Sequence, residues 1–256
     1  MTRKISVVAA FLAAVLSSIA VGCAVAQDPP FADTTYSFPR VISSSDPTAF
    51  QSLSFVQQAT RSMFDRRTNS FSNINAFIFR ATYKDREPVE VAVNPELGNQ
   101  DATQKHAQYY AQELGRLPLF LRREVDGLHI QGGKQPFGGG RNVLIHTEEG
   151  EFYKTRDVLN EILGHESGHA LDPKLATSPE WVAAQKQDGR FISTYAKNNP
   201  VREDVAESVN AYIAVYVHPD RITKEQRDTI MKTIPARLKL LREKLGDTQR
   251  MLRVDA

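Results

Sequence analysis

Apolar positions change their spacing along this chain near residue 150. Before that point they fall in short runs. INAFIFRAT at 74–82 is rich in Ile and Phe, and VEVAV at 89–93 alternates apolar with charged residues, so both read as strands. Segments 127–131 and 142–147 (NVLIHT) fit a pair of strands flanking the glycine-rich stretch GGKQPFGGG at 132–140. Between these runs, 102–114 reads as a helix with Gly115 as its stop. The spacing of Leu53, Val56, Met63 and Phe64 predicts a short helix over 53–64. After Gly150 helical spacing takes over, predicting helices at 156–171, 179–186, 201–217 and 222–245. Strands first and helices afterwards predict an α+β domain, and no internal repeat interrupts it.

The N-terminal segment has a different character. Arg3 and Lys4 precede an apolar stretch at 5–21, which reads as a secretory signal, too short for a comfortable membrane span. Two exits follow it. Ala24-Val25-Ala26 is an A-x-A cleavage site, releasing a chain that starts at Gln27, while Ala20-Val21-Gly22-Cys23 resembles a lipobox that would lipidate Cys23. Either exit makes the protein secreted or periplasmic, with membrane attachment only through a lipid on Cys23. Prolines at 29, 30, 39 and 47 among Ser and Thr predict an extended leader. The expected organisation is a signal peptide at 1–26, a leader at 27–52 and one folded domain at 53–256.

Charge and cysteine content narrow the chemistry. A formal net charge of +2 without a dense Lys/Arg block excludes a nucleic-acid footprint. Cys23 is the sole cysteine, so the mature chain has no disulfide and no thiolate nucleophile; any metal must be held by His, Asp or Glu. The glycine-rich stretch lacks the Gly-Lys-Ser/Thr ending of a phosphate loop and is followed by a strand.

The chemical signal is HESGH at 165–169, an H-E-x-x-H pattern on a segment whose Val158, Leu159, Ile162, Leu163 and Leu171 have helical spacing. Residues four apart share a helix face, so His165 and His169 could bind one Zn²⁺ with Glu166 beside the water that completes its coordination. Gly164 and Gly168, also four apart, would let another backbone approach along one stripe. A catalytic zinc needs a third protein ligand. Asp172 and Leu175 stand where the long metzincin motif needs glycine and histidine, so that class is excluded. His106, His129, His146 and His218 stand singly and read as surface or core histidines; Asp172-Pro173 reads as a helix end. Glu203 and Glu207 stack on one side of a helix expected to start at Pro200 with Asn199 as its cap. One could ligate zinc while the other orients an imidazole, although carboxylates are also favoured near any helix N-terminus.

HESGHALD followed by STYAKNNPVREDVAESVNAY resembles the catalytic domain of the anthrax lethal factor group, which includes secreted Pro-Pro endopeptidases. The resemblance spans roughly residues 127–217 and implies a zincin-like metallopeptidase fold: a small mixed sheet over the active-site helix, then a mostly helical half. It implies one catalytic Zn²⁺ held by His165, His169 and Glu203, with Glu207 supporting from outside the ligand set. Glu166 would be the general base, and Tyr195 would face the substrate carbonyl. The implied activity is a secreted zinc endopeptidase that hydrolyses peptide or protein substrates through a zinc-activated water. The strand Asn142, Val143, Leu144, Ile145, His146 precedes the metal helix and would offer its edge to an extended peptide. Trp181 would line a pocket or pack in the core. Two other readings remain open: a non-catalytic, zinc-stabilised binding domain at the cell surface, and a zinc amidase acting on cell-wall material.

Overall fold

The computed structural model describes residues 29–245. Strands β1 (Phe50–Asp65), β2 (Ser70–Tyr83), β3 (Arg86–Val93), β4 (Gly127–Gln131) and β5 (Asn142–His146) form one sheet in chain order. The first three run antiparallel, whereas β3, β4 and β5 are parallel, so the sheet is mixed. Helices α1 (Gln100–Leu114) and α2 (Leu119–Arg122) lie in the crossover between β3 and β4. Val91, Val93, Leu128, Ile130, Val143 and Ile145 turn one face of the sheet into the main core. Their alternate neighbours Ala92, His129 and Leu144 pair across the opposite face.

The helix expected at 53–64 is instead most of β1. Its ladder with β2 runs from Phe50↔Tyr83 to Asp65↔Ser70, with register shifts at Phe50/Ser52 and Phe55/Gln57, and pairs the backbone groups of β1 that face β2. Phe55 and Val56 are exposed and only Met63 is fully buried, so no apolar stripe is available to hold a helix against the core. Pairing outweighed a weak period, as tertiary context commonly does for short segments.

The second half is helical, as its spacing predicts: α3 (Thr147–Thr155), α4 (Leu159–Gly168), a 3₁₀ turn at His169–Leu171, α5 (Asp172–Leu175), α6 (Pro179–Asp188), α7 (Thr194–Asn198), α8 (Asp204–Tyr212) with a π turn at Ile213–Val217, α9 (Lys224–Thr233) and α10 (Pro235–Leu245). Of these, α3 and α7 are two helices beyond those expected. Three boundaries differ from expectation. Asp172 does not stop the helical path; it opens α5 with Pro173 in the first turn, where the missing N–H would have no partner anyway. The helix expected from 201 starts at Asp204, with Glu203 rather than Asn199 at the cap position. The segment 222–245 breaks at Ile234 (φ −130°), because Pro235 pushes its predecessor out of helical conformation.

The leader is packed rather than loose. Phe38, Val41 and Ile42 are buried in the main core. Its backbone also hydrogen-bonds to the helical half. Thr34 N–H donates to Glu207 Oε2 at 2.9 Å, and Ile42 N–H to Glu161 Oε1 at 2.9 Å. Thr194 N–H reaches Phe31 O at 2.9 Å and Tyr195 N–H reaches Ala32 O at 3.0 Å. The expected signal segment and Cys23 lie outside the described residues, and no described helix is long and apolar enough to cross a membrane.

Candidate metal centre

The two motif halves meet because small residues let two helices touch. A Cβ on Gly168 would sit 3.1 Å from Ala206 Cα, and one on Gly164 would sit 3.1 Å from Asn210 Oδ1, so α8 crosses α4 with nearly bare backbone between them. The glycine stripe read in the sequence has this role. Closeness offsets the roughly 1 kcal/mol that glycine costs in a helix interior.

The rotation of α8 is fixed from behind. Asp204 is fully buried and accepts from Trp181 Nε1 at 3.0 Å and Gln185 Nε2 at 2.8 Å, while the buried Arg237 guanidinium pairs with both Asp204 and Asp188. Trp181 is therefore core, its indole N–H tying α6 to α8, and it does not line the cleft. With Asp204 facing this network, its neighbour Glu203 faces α4.

His165 Nε2 and His169 Nε2 lie 3.3 and 3.2 Å from the same oxygen, Glu203 Oε2. These three donor atoms sit within 4.8 Å of one another and form a group able to hold a metal ion. Each imidazole is backed on its other nitrogen by a carboxylate. His169 Nδ1 is 2.6 Å from Asp172 Oδ2; Glu207 Oε1 is 3.2 Å from His165 Nδ1, an ion-pair distance off the line of a good hydrogen bond. An imidazole that gives its Nδ1 proton to a carboxylate keeps Nε2 as a lone-pair donor, which is how metal-ligating histidines are usually held. Geometry and donor chemistry both fit a divalent cation that accepts nitrogen and oxygen ligands.

The group's electrostatics favour positive charge at its centre. Burial disfavours the charged imidazoles, yet Glu203 and Glu207 outweigh it at His165, and Asp172 and Glu203 at His169, so both pKa values rise. Burial alone would raise Glu203, but its hydrogen bonds to the two imidazoles pull it well below the usual carboxylate range. Asp172 is raised, mainly by burial.

This centre forms one wall of a cleft of about 1020 Å³. Glu166 lines it beside the metal group, and its carboxylate makes no hydrogen bond or ion pair among the described residues. Tyr195, on α7 and 42% exposed, stacks its ring 6.2 Å from His165. Burial, with the adjacent Glu203 carboxylate second, pushes the Tyr195 hydroxyl up to about 12. Of the four other histidines only His129 lines the cleft; His146 is buried with Nδ1 2.7 Å from Gly132 O.

Strand β5 is the last in the sheet, but its outer edge is not bare. Leu144 exchanges both backbone hydrogen bonds with Gly138, at 2.8 and 3.1 Å. Gly140 N–H donates to Glu166 O at 3.2 Å, which ties the glycine segment to the metal helix. Gly139 lies between these anchors, exposed, with no backbone hydrogen bond among the described residues. A Cβ there would fall 2.3 Å from His169 Cδ2 and 2.6 Å from Glu166 O, so only glycine fits. The glycine segment thus covers the outer edge of β5 at Leu144, while Asn142 and Leu144 still line the cleft.

The sequence named His165, His169, Glu203, Glu207, Glu166 and Tyr195, and the fold gathers all six at this site. It passed over Asp172, whose signal was its place three residues after His169, one helical turn on. It also missed the strap from Phe31 to Thr34, which contacts α7 and Glu207 and has no local motif. A buried His-His-Glu group at the wall of a cleft is compatible with a metallohydrolase. No protein-family model matches the chain, and no curated protein matches it.

Proposed function

We propose that the chain is a zinc-dependent endopeptidase, secreted or periplasmic, whose metal is held by His165, His169 and Glu203. The observation that carries this reading is the convergence of three ligand atoms beside an uncommitted carboxylate, Glu166, in an open cleft. Bound zinc would polarise a scissile carbonyl and make a neighbouring water easier to deprotonate. The remaining work falls to the chain itself. Glu166 takes the proton of the attacking water and returns it to the leaving amine. Tyr195 stays protonated at neutral pH and donates its hydroxyl hydrogen to the oxygen that gains charge, a role supported by its ring stacking beside His165 at the cleft. Asp172 keeps His169 in the ligating tautomer, and Glu207 stands beside His165 Nδ1 as its charge partner. Gly139 presents an unpaired peptide group to which an extended backbone can bond, in place of the covered centre of β5.

The test is metal content together with peptide hydrolysis by the purified mature chain. About one equivalent of zinc is expected, with cleavage that chelator removes, and Glu166→Gln should abolish turnover while retaining the metal. Zinc bound without hydrolysis of any peptide refutes the endopeptidase and favours the binding-domain reading; release of cell-wall fragments with peptides left intact favours the amidase.

A further inference from the structure

We propose that this cleft selects extended peptides carrying acidic side chains around the bond to be cut, with Arg66 as the main specificity-determining residue and Arg202 as a second. The proposal takes from the previous reading that the cleft is where substrate lies.

Apart from the metal group with Glu166 and Asp172, every charged residue lining the cleft is an arginine: Arg66, Arg141 and Arg202. Their commitments differ. Arg141 is neutralised by Asp126, at 2.5 Å, and lies 3.5 Å from Glu124. Arg66, exposed in the β1–β2 turn, has no ion pair or hydrogen bond among the described residues. The adjacent Asp65 is already taken, because Arg67 holds both Asp65 and Glu96 at 2.9 Å. The hairpin places the Arg66 guanidinium over the glycine segment: Nη2 is 3.2 Å from the position of a Cβ on Gly138. The next residue, Gly139, abuts His169. Arg66 therefore stands within about four residue lengths of extended chain from the metal group. Arg202 precedes the ligand Glu203, has an 81% exposed side chain, and among the described residues its guanidinium pairs only with Glu203 Oε1, at 3.8 Å. Two guanidiniums with little or no pairing in a concave site focus their field on it and favour carboxylates over ammonium groups.

Three matched peptides test this, with Glu, Gln or Lys at the positions flanking the scissile bond. Cleavage is read as kcat/KM on the zinc-loaded protein. Binding is read by fluorescence anisotropy on zinc-loaded Glu166→Gln. Both should rank Glu above Gln above Lys, with a Glu-to-Lys ratio of roughly tenfold or more at low salt that shrinks at high salt. Arg66→Glu, a change at an exposed turn, should flatten or invert that ratio. Equal handling of the three peptides while the Gln peptide is cut overturns the selectivity and leaves the endopeptidase standing. An unchanged ratio in Arg66→Glu overturns the assignment to Arg66. Graded binding with no cleavage overturns the endopeptidase and keeps the acidic-ligand preference.

Discussion

Glu161 sits one turn before His165 on α4, 3% exposed, and gives the most quantitative prediction. Its Oε1 accepts from Ile42 N–H at 2.9 Å, while Oε2 is buried without a partner. Burial dominates and pushes its pKa from 4.5 to about 8, with the backbone hydrogen bond opposing. In the window from pH 4.5 to 8, the folded chain keeps a proton that the unfolded chain has released. Stability from this group is complete below pH 4.5 and is lost as the pH rises through 8. A shift from 4.5 to 8 corresponds to about 5 kcal/mol at 1.36 kcal/mol per pH unit. Glu161→Gln keeps the acceptor for Ile42 and removes the titration. The variant should match the parent near pH 5 and exceed it in Tm by on the order of 10 °C near pH 8.5, at about 2–4 °C per kcal/mol for a domain this size. Thermal melts from pH 5 to 9 in chelator check this, since metal binding is itself pH-dependent. Parallel pH profiles for parent and variant would refute the reasoning, because they would mean that Glu161 reaches solvent or that the leader does not cover it.

The metal group yields a ranking. Glu203→Gln should weaken zinc binding more than Glu207→Gln or Asp172→Asn, each of which should cost about ten- to hundredfold by competition with a chelating dye; Glu207→Gln as the most damaging change would reverse the assignment of ligand and supporting carboxylate. Gly139→Ala should lower kcat/KM by about a hundredfold, since the added methyl must displace His169 or the Glu166 carbonyl; full activity would place the glycine segment away from the metal helix. Tyr195→Phe should reduce kcat about 10²–10³-fold with zinc content unchanged, and an unaltered rate would assign Tyr195 to packing alone.

Local chemistry on a regular helix can be read from a linear sequence, and here it was. Four-residue spacing put His165 and His169 on one face, and Glu203 and Glu207 on another, because helical geometry alone dictates those relations. The α+β order followed from the change of apolar period near residue 150. Local spacing could not reveal what depends on distant partners. β1 is a strand because β2 pairs with it along its whole length. Glu203 rather than Glu207 faces both Nε2 atoms because Trp181, Gln185 and Arg237 hold Asp204 behind it. The leader packs in the core because Phe38, Val41 and Ile42 bury apolar surface against distant elements, with its N–H groups meeting Glu161 and Glu207. Sequence determined which residues could hold a metal and which of them shared a helix face. Only the tertiary structure decided which oxygen met the imidazoles, because the orientation of one helix against another is set by side chains scattered through the whole chain.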